Sequence, residues 1–272
     1  MTLDLAMVTH TPEGLLRILD IKLPEVEGVK YVVSWQSHGD APVPDEIAAR
    51  KDIQVHRFDG TGVSNNRNNA ISFCTGDIIL FADNDVTYSA EGFRAVITAF
   101  EQNPDVDLAT FRSARESACV YPATETKLGL KLPKNYYVCS IEIAFRRSTA
   151  GFLRCHPDLS FGSRWFQGAD DEIFLWNAIK VGLNCRFFPV TICRHDHPSL
   201  GTKAKLNNSN LRAAGCVIAF YYPRTAFLRI PLKAWRVCKA GQASFIRALL
   251  MVSHGAVLSV GIRRSGRKMK MW

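Results

Sequence analysis

The run Asp77–Ala82 (DIILFA) constrains this chain more than any other stretch. After its first residue it is apolar without alternation, which a strand tolerates only when both of its faces are covered. Such runs belong to parallel sheets sandwiched between helices. The flanking pattern agrees. Leu3–Thr9, Val29–Trp35 and Ile53–Phe58 read as strands, and Glu13–Asp20 and Ser64–Cys74 as helices. Beyond the run, Ala90–Gln102 is helical in pattern and Asp107–Arg112 strand-like. This βαβαβ alternation predicts an α/β domain built on an open, mostly parallel sheet. Residues 113–135, rich in Pro, Lys and Thr, break the rhythm as an excursion. A strand over Val138–Phe145, a helix over Asp171–Val181 ended by Gly182, and a strand over Asn184–Arg194 follow.

Charge divides the chain unevenly. Its 272 residues carry a net +9, yet His197–Trp272 holds 14 Lys and Arg with no Asp or Glu. The preceding 196 residues hold the other 20 basic and all 25 acidic side chains, a net of −5. An acidic-leaning body with a purely basic tail points to an anionic surface as the tail's partner. A hydrophobic content of 47% excludes disorder of the whole chain. The tail offers two helices, Arg224–Ala240 and Gln242–Ile262. In the first, Arg229, Lys233, Arg236 and Lys239 fall within about 120° of arc. Phe227, Ile230, Ala234, Trp235, Val237 and Cys238 fall on the other side, Leu232 lies among the cations, and Pro231 should kink the helix. A basic amphipathic helix with Trp reads as an interfacial membrane anchor, and its plainer alternative is a solvated helical cap. The longest uncharged stretch, Ala248–Ile262, has 15 residues. That falls short of the roughly 18–20 a spanning helix needs, so no transmembrane segment is expected. No nucleic-acid partner is expected either, because the charge is confined to the tail without aromatics patterned along a sheet face. The eight cysteines form no CxxC pair and the N-terminus has no secretory pattern, so the expected location is the cytoplasm, peripheral on the inner face of the cell membrane.

Four stretches could carry chemistry. Asp83-Asn84-Asp85 follows the buried run directly, and ligands of open α/β sheets bind outside the carboxyl ends of strands. Two carboxylates there can meet one hard cation, Mg²⁺ or Mn²⁺, bridging to phosphates; the bland alternative is an Asx-rich turn. Gly60–Asn69 (GTGVSNNRNN) opens a helix whose first amides and Arg67 suit a phosphate or nucleotide. It lacks the third glycine of a dinucleotide fingerprint and the GK[ST] of a Walker loop, and a glycine turn with a Ser64 cap explains it as well. Gly168–Phe174 (GADDEIF) follows the aromatic loop FGSRWFQG. Asp170 and Asp171 there could supply a general base, or only cap a helix. Arg194-His195-Asp196-His197-Pro198 ends the last strand, and with Cys185 and Cys193 it fits no zinc spacing.

Taken together, these residues resemble a family-2 glycosyltransferase of the GT-A fold. The likeness spans about residues 3–200 and rests on GTGVSNNRNNAISFCTGDIILFADNDVTY (Gly60–Tyr88) and on IEIAFRR…LSFGSRWFQGADDEIFL. The tail resembles the basic helices by which bacterial cell-surface polysaccharide glycosyltransferases sit on membranes. The resemblance implies a nucleotide-sugar half over 1–112, an acceptor-binding half over 113–200 and a membrane-associating region over 201–272. It implies that Asp83 and Asn84 hold the nucleotide-sugar and that Asp85, with Asp83, ligates Mn²⁺ or Mg²⁺. Arg67 would lie near the nucleotide, Thr9 and Thr11 would line the base pocket, and His195 or His197 would contact metal or diphosphate. Asp171, or its neighbour Asp170, would be the catalytic base of an inverting transfer. The donor would be a UDP-sugar, and the acceptor a saccharide or lipid-linked saccharide. The first strand ends VTHTPEG where many members have a PTYN-like turn, and the acidic motif reads ADD in place of GED. The rivals are a nucleotidyltransferase, for which THTPEGLL lacks a basic phosphate grip before Arg17, and a membrane-binding module without activity.

Overall fold

A computed structural model of the chain describes residues 1–115, 121–134, 136–195 and 205–268. The chain forms two compact units that are each discontinuous in sequence. One comprises Met1–Arg154 and Asn177–His197, the other Cys155–Trp176 and Pro198–Trp272.

The first unit is a nine-stranded sheet. Its strands are β1 (Leu3–His10), β2 (Val29–Gln36), β3 (Ile53–Phe58), β4 (Ile78–Asp83), β5 (Thr87–Tyr88), β6 (Leu108–Arg115), β7 (Thr126–Leu128), β8 (Ile143–Arg146) and β9 (Cys185–His195). They run in the order β3-β2-β1-β4-β8-β6-β9-β5, with β7 pairing off β9. The first four are mutually parallel, and β4 meets β8 antiparallel. Ile78–Ala82 is buried throughout, as its unbroken apolar composition requires. Helices α1 (Thr11–Asp20), α2 (Asp45–Ala48), α3 (Val63–Phe73), α4 (Ala90–Gln102) and α5 (Arg147–Ala150) complete this unit. On β2, Tyr31, Val33 and Trp35 enter the main core while Ser34 reaches the α3 layer, bonding Asn66 and Asn69. The predicted strand over Val138–Phe145 forms only from Ile143. Ser140–Glu142 makes a 3-10 turn instead, because Glu142 folds back to accept from the Cys139 amide (3.2 Å).

Helix α6 (Asp170–Lys180) begins in the second unit and ends in the first. The second unit also holds α7 (Asn208–Tyr221), α8 (Ala226–Lys239) and α9 (Phe245–Lys268). Helices α7 and α9 approach backbone to backbone. A Cβ on Gly215 would lie 1.9 Å from the Val252 carbonyl oxygen, and one on Gly255 2.0 Å from that of Arg212. Leu211, Ala234, Val237, Ala248 and Val252 form the buried seam of the three helices.

Two expectations about the tail change. On α8 only Ile230, Ala234 and Val237 of the expected apolar side pack inward. Phe227 (71% exposed), Leu228 (62%) and Trp235 (52%) stay outside, because the inward face is narrower than the apolar arc. The helix continues through Pro231. Helix α9 contains an 18-residue window, Phe245–Ile262, of mean hydropathy 1.7, long and apolar enough to cross a membrane by length and composition alone. The 15-residue count stopped at Arg247, a charge that a helix can absorb.

Gly215→Ala should lower the melting temperature by several degrees, since overpacking a closed contact costs about 1–3 kcal/mol. Gly261→Ala on α9 meets nothing within 4 Å and should hold or raise it. Thermal unfolding followed by circular dichroism checks this; equal melting of the two variants would remove the close crossing from the account.

Candidate active site

The carboxyl edge of the parallel strands gathers the residues that follow β1 and β4. Asn84 donates through Nδ2 to the Thr9 hydroxyl (2.9 Å) and to the Gly14 carbonyl (2.6 Å), tying the turn after β4 to the start of α1. Thr11 sits at φ 64°, a left-handed conformation uncommon for a residue with a Cβ, and its carbonyl accepts from the Trp35 indole (2.8 Å). Arg67 is only 5% exposed. Its guanidinium donates to Ser140 Oγ (2.7 Å) and to Asp83 Oδ1 (3.4 Å), and lies over the Phe81 ring (5.8 Å). Arg67 therefore points inward and orients Asp83.

Asp85 meets a residue 110 positions away. The two-residue strand β5 pairs antiparallel with β9, Thr87 opposite Arg194 and Tyr88 opposite Cys193. That pairing draws the Asp-Asn-Asp turn to the end of β9, where His195 Nε2 lies 3.7 Å from Asp85 Oδ2. The Asp83 amide donates to the Tyr88 hydroxyl (3.1 Å), closing the turn. Among the described residues no three His, Cys, Asp or Glu side chains gather to hold a metal unaided. His197 lies outside the described residues.

The acidic motif belongs to the second unit. Three carboxylates, Asp170, Asp171 and Glu172, open α6, where the helix dipole favours negative charge. The preceding loop is closed by the Ser160 amide on the Gly168 carbonyl (3.5 Å), and Ser160 and Ala169 adopt φ 82° and 75°. Within it, Ser163 Oγ accepts from the amides of Trp165 (3.3 Å) and Phe166 (3.2 Å). Gln167 is clamped to α7, its side chain by Asn207 and its carbonyl by Asn210, each at 2.8 Å. The Tyr221 hydroxyl donates to the Glu172 carbonyl (2.7 Å). Asp170 is buried and Asp171 half-buried.

Glu172 escapes a sequence reading that weighs only the two aspartates before it. Desolvation, then the neighbouring Asp170 charge, pushes its carboxyl up to about 7, while Lys233 on α8 acts in the opposite sense. No sequence signal foretells this, because the burial that desolvates the carboxyl is set by tertiary packing.

Comparison with known proteins bears on the fold. The family described as "Glycosyl transferase family 2" matches residues 42–159. "Pre-mycofactocin glycosyltransferase" of Mycobacterium tuberculosis is 24% identical over 201 residues, covering 70% of this chain and 41% of that protein. The chain thus spans well under half the length of the curated relatives it matches. Among solved structures, S. aureus TarS 1–349 superposes with a TM-score of 0.61 at 12% identity, covering 97% of this chain and 92% of that one. TarS 1–349 in complex with UDP-GlcNAc superposes at 0.58 and 13% identity, covering 81% of this chain and 66% of that one. The fold is the GT-A architecture that these structures share. The likeness to the family-2 glycosyltransferases lies in residues 42–159.

The raised Glu172 carboxyl sets a pH dependence. Its folded value lies above the unfolded one of 4.5, so the folded state holds the proton more tightly and the group withdraws stability as pH rises from about 4.5 through about 7. Glu172→Gln should therefore melt higher than the native protein at pH 8 and together with it near pH 4. Equal melting at both pH values would place the Glu172 carboxyl in water.

Proposed function

We propose that this protein is an inverting glycosyltransferase that moves a sugar from a nucleotide-diphosphate donor, a UDP-sugar, to a saccharide or lipid-linked saccharide acceptor in surface glycan synthesis. The observation that carries the reading is the approach of Asp85 and His195 (3.7 Å) at the carboxyl edge of the sheet, beside an Asp83 oriented by Arg67. The choice of uridine follows the TarS relatives, solved with UDP and UDP-GlcNAc.

Two side-chain donors and a nearby second carboxylate suit Mn²⁺ or Mg²⁺, which take their remaining ligands from diphosphate oxygens and water. Asp85 and His195 would hold the ion, with Asp83, two residues from Asp85 in the chain, turned to Arg67. When bound, it neutralises charge developing on the leaving diphosphate. Thr9, Thr11 and Asn84 line the donor side. Asp171 takes the proton of the acceptor hydroxyl as that oxygen bonds to the anomeric carbon and the bond to the diphosphate breaks on the opposite face. One such displacement inverts the configuration. Asp170, buried beside it in the first turn of α6, is the alternative base.

The second unit supports a peripheral station on the inner, cytoplasmic face of the cell membrane. Phe227, Leu228, Leu232 and Trp235 stand exposed on α8 among Arg224, Arg229, Arg236 and Lys239. Ile246, Leu250, Val257 and Val260 form an exposed stripe on α9 at helical spacing. Apolar groups flanked by cations suit the headgroup boundary of an anionic bilayer.

One series of variants tests the chemistry. UDP with Mn²⁺ should raise the native melting temperature, and Asp85→Ala should remove that rise. Asp171→Asn should keep the rise but lose about 10²–10⁴-fold in turnover, with Asp170→Asn as the control. Loss with Asp170→Asn alone would move the base by one residue, and full activity in both would leave the acidic motif a helix cap. Membrane docking is tested by Leu228→Glu with Trp235→Glu, which should release the protein from phosphatidylglycerol vesicles. Undiminished co-sedimentation would exclude the outer face of α8.

A further inference from the structure

Trp165 lies five residues ahead of Asp170 in the closed loop, and it is 39% exposed. Two guanidinium groups rest on its indole. Arg164 lies 4.9 Å and Arg212, on α7, 5.4 Å from the ring centroid, which places the two cations within about 10 Å of each other. His254 of α9 meets the same indole edge-on at 6.2 Å. Among the described residues neither arginine has a carboxylate partner or a hydrogen bond, and Arg212 Nε is buried without an acceptor. All four residues belong to the second unit, and the loop that carries Trp165 is fixed to α7 through Gln167.

Like charges at this separation repel, and a buried guanidinium nitrogen without an acceptor carries a desolvation cost. Cation–π contact with one exposed ring offsets only part of both. A doubly charged oxyanion would relieve both at once, since a guanidinium fork matches phosphate geometry. We infer that Arg164, Arg212 and Trp165, with His254 fixing the indole, form a binding site for a phosphate group carried by the acceptor. This rests on the reading of the acidic motif as the acceptor side of a glycosyltransferase. The donor residues Asp83 and Asp85 play no part in it. The phosphate comes from a lipid carrier whose chain follows the apolar stripe of α9, or from a soluble phosphorylated saccharide.

Two probes separate these sources. Inorganic diphosphate is titrated calorimetrically into the full chain in EDTA, so that no divalent ion at Asp85 can hold it. Vesicles containing phosphatidic acid are compared with phosphatidylglycerol vesicles of matched charge, because only the former presents a phosphomonoester. Arg164→Gln and Arg212→Gln should each weaken diphosphate binding about 10-fold or more, or abolish a preference for phosphatidic acid. Loss in the diphosphate arm alone assigns a soluble acceptor phosphate, and loss of the lipid preference assigns a lipid-borne one. The exposed loop position of Arg164 keeps the test readable if Arg212→Gln misfolds. Native-like behaviour of both variants in both arms, or no binding and no preference in the native protein, overturns the site. The UDP–Mn²⁺ melting rise is read on the same proteins and should persist in both variants. Its absence from the native protein would count against the donor reading and leave the metal-free titration interpretable.

Discussion

The burial of Arg67 is the constraint on which the candidate site depends. Moving a guanidinium out of water costs several kcal/mol unless its surroundings compensate. Here Asp83, Ser140 and the face of Phe81 do so, which ties α3, the strand β4 and the turn before β8 to one cation. The carboxylate of Asp83 is thereby fixed in direction, and Asp85, two residues on, is carried to the end of β9. A motif of three residues gains its geometry from a helix that precedes it and from a strand that follows it by a hundred positions.

How much of this was legible in the sequence depended on where the determining contacts lie. The parallel strands were readable because their burial on both faces is written into unbroken apolar runs such as Ile78–Ala82. Helices α1, α3 and α4 were readable from their spacing. The strands β5 and β7, of two and three residues, were not, since only their pairing with β9 makes them strands. Helix α7 escaped separate notice because its small residues, Ala213, Gly215 and Ala219, bury against another helix where a periodic pattern of large apolar groups would have been sought. The candidate residues Asp83, Asp85 and His195 could be named one by one. Their convergence could not, and neither could the inward turn of Arg67, set by partners distant in the chain, nor the raised carboxyl of Glu172, set by its burial.

The tail proves to be more than an appendage. Its helices share a unit with the loop and acidic motif of 155–176. One surface of that unit is apolar and cationic, and Trp165, five residues ahead of Asp170, carries Arg164 of its own loop and Arg212 of α7 on its indole. The proposed transfer needs a base and a grip on the acceptor's charged end in fixed relation, and the residues proposed for the two lie in one body.

The discontinuity of that body also orders events in time. Gln167 finds Asn207 and Asn210 after 40 and 43 further residues, and Glu172 finds Tyr221 after 49. The sheet can close on residues already made, apart from β9, whereas the acidic motif has no scaffold until α7 exists. At about 5–20 residues per second, a ribosome leaves that motif unsupported for seconds, and longer still until α9 seats its glycine against α7. A nascent chain of this kind therefore completes its sheet first, and its acidic motif settles last, when α7 and α9 have been synthesised.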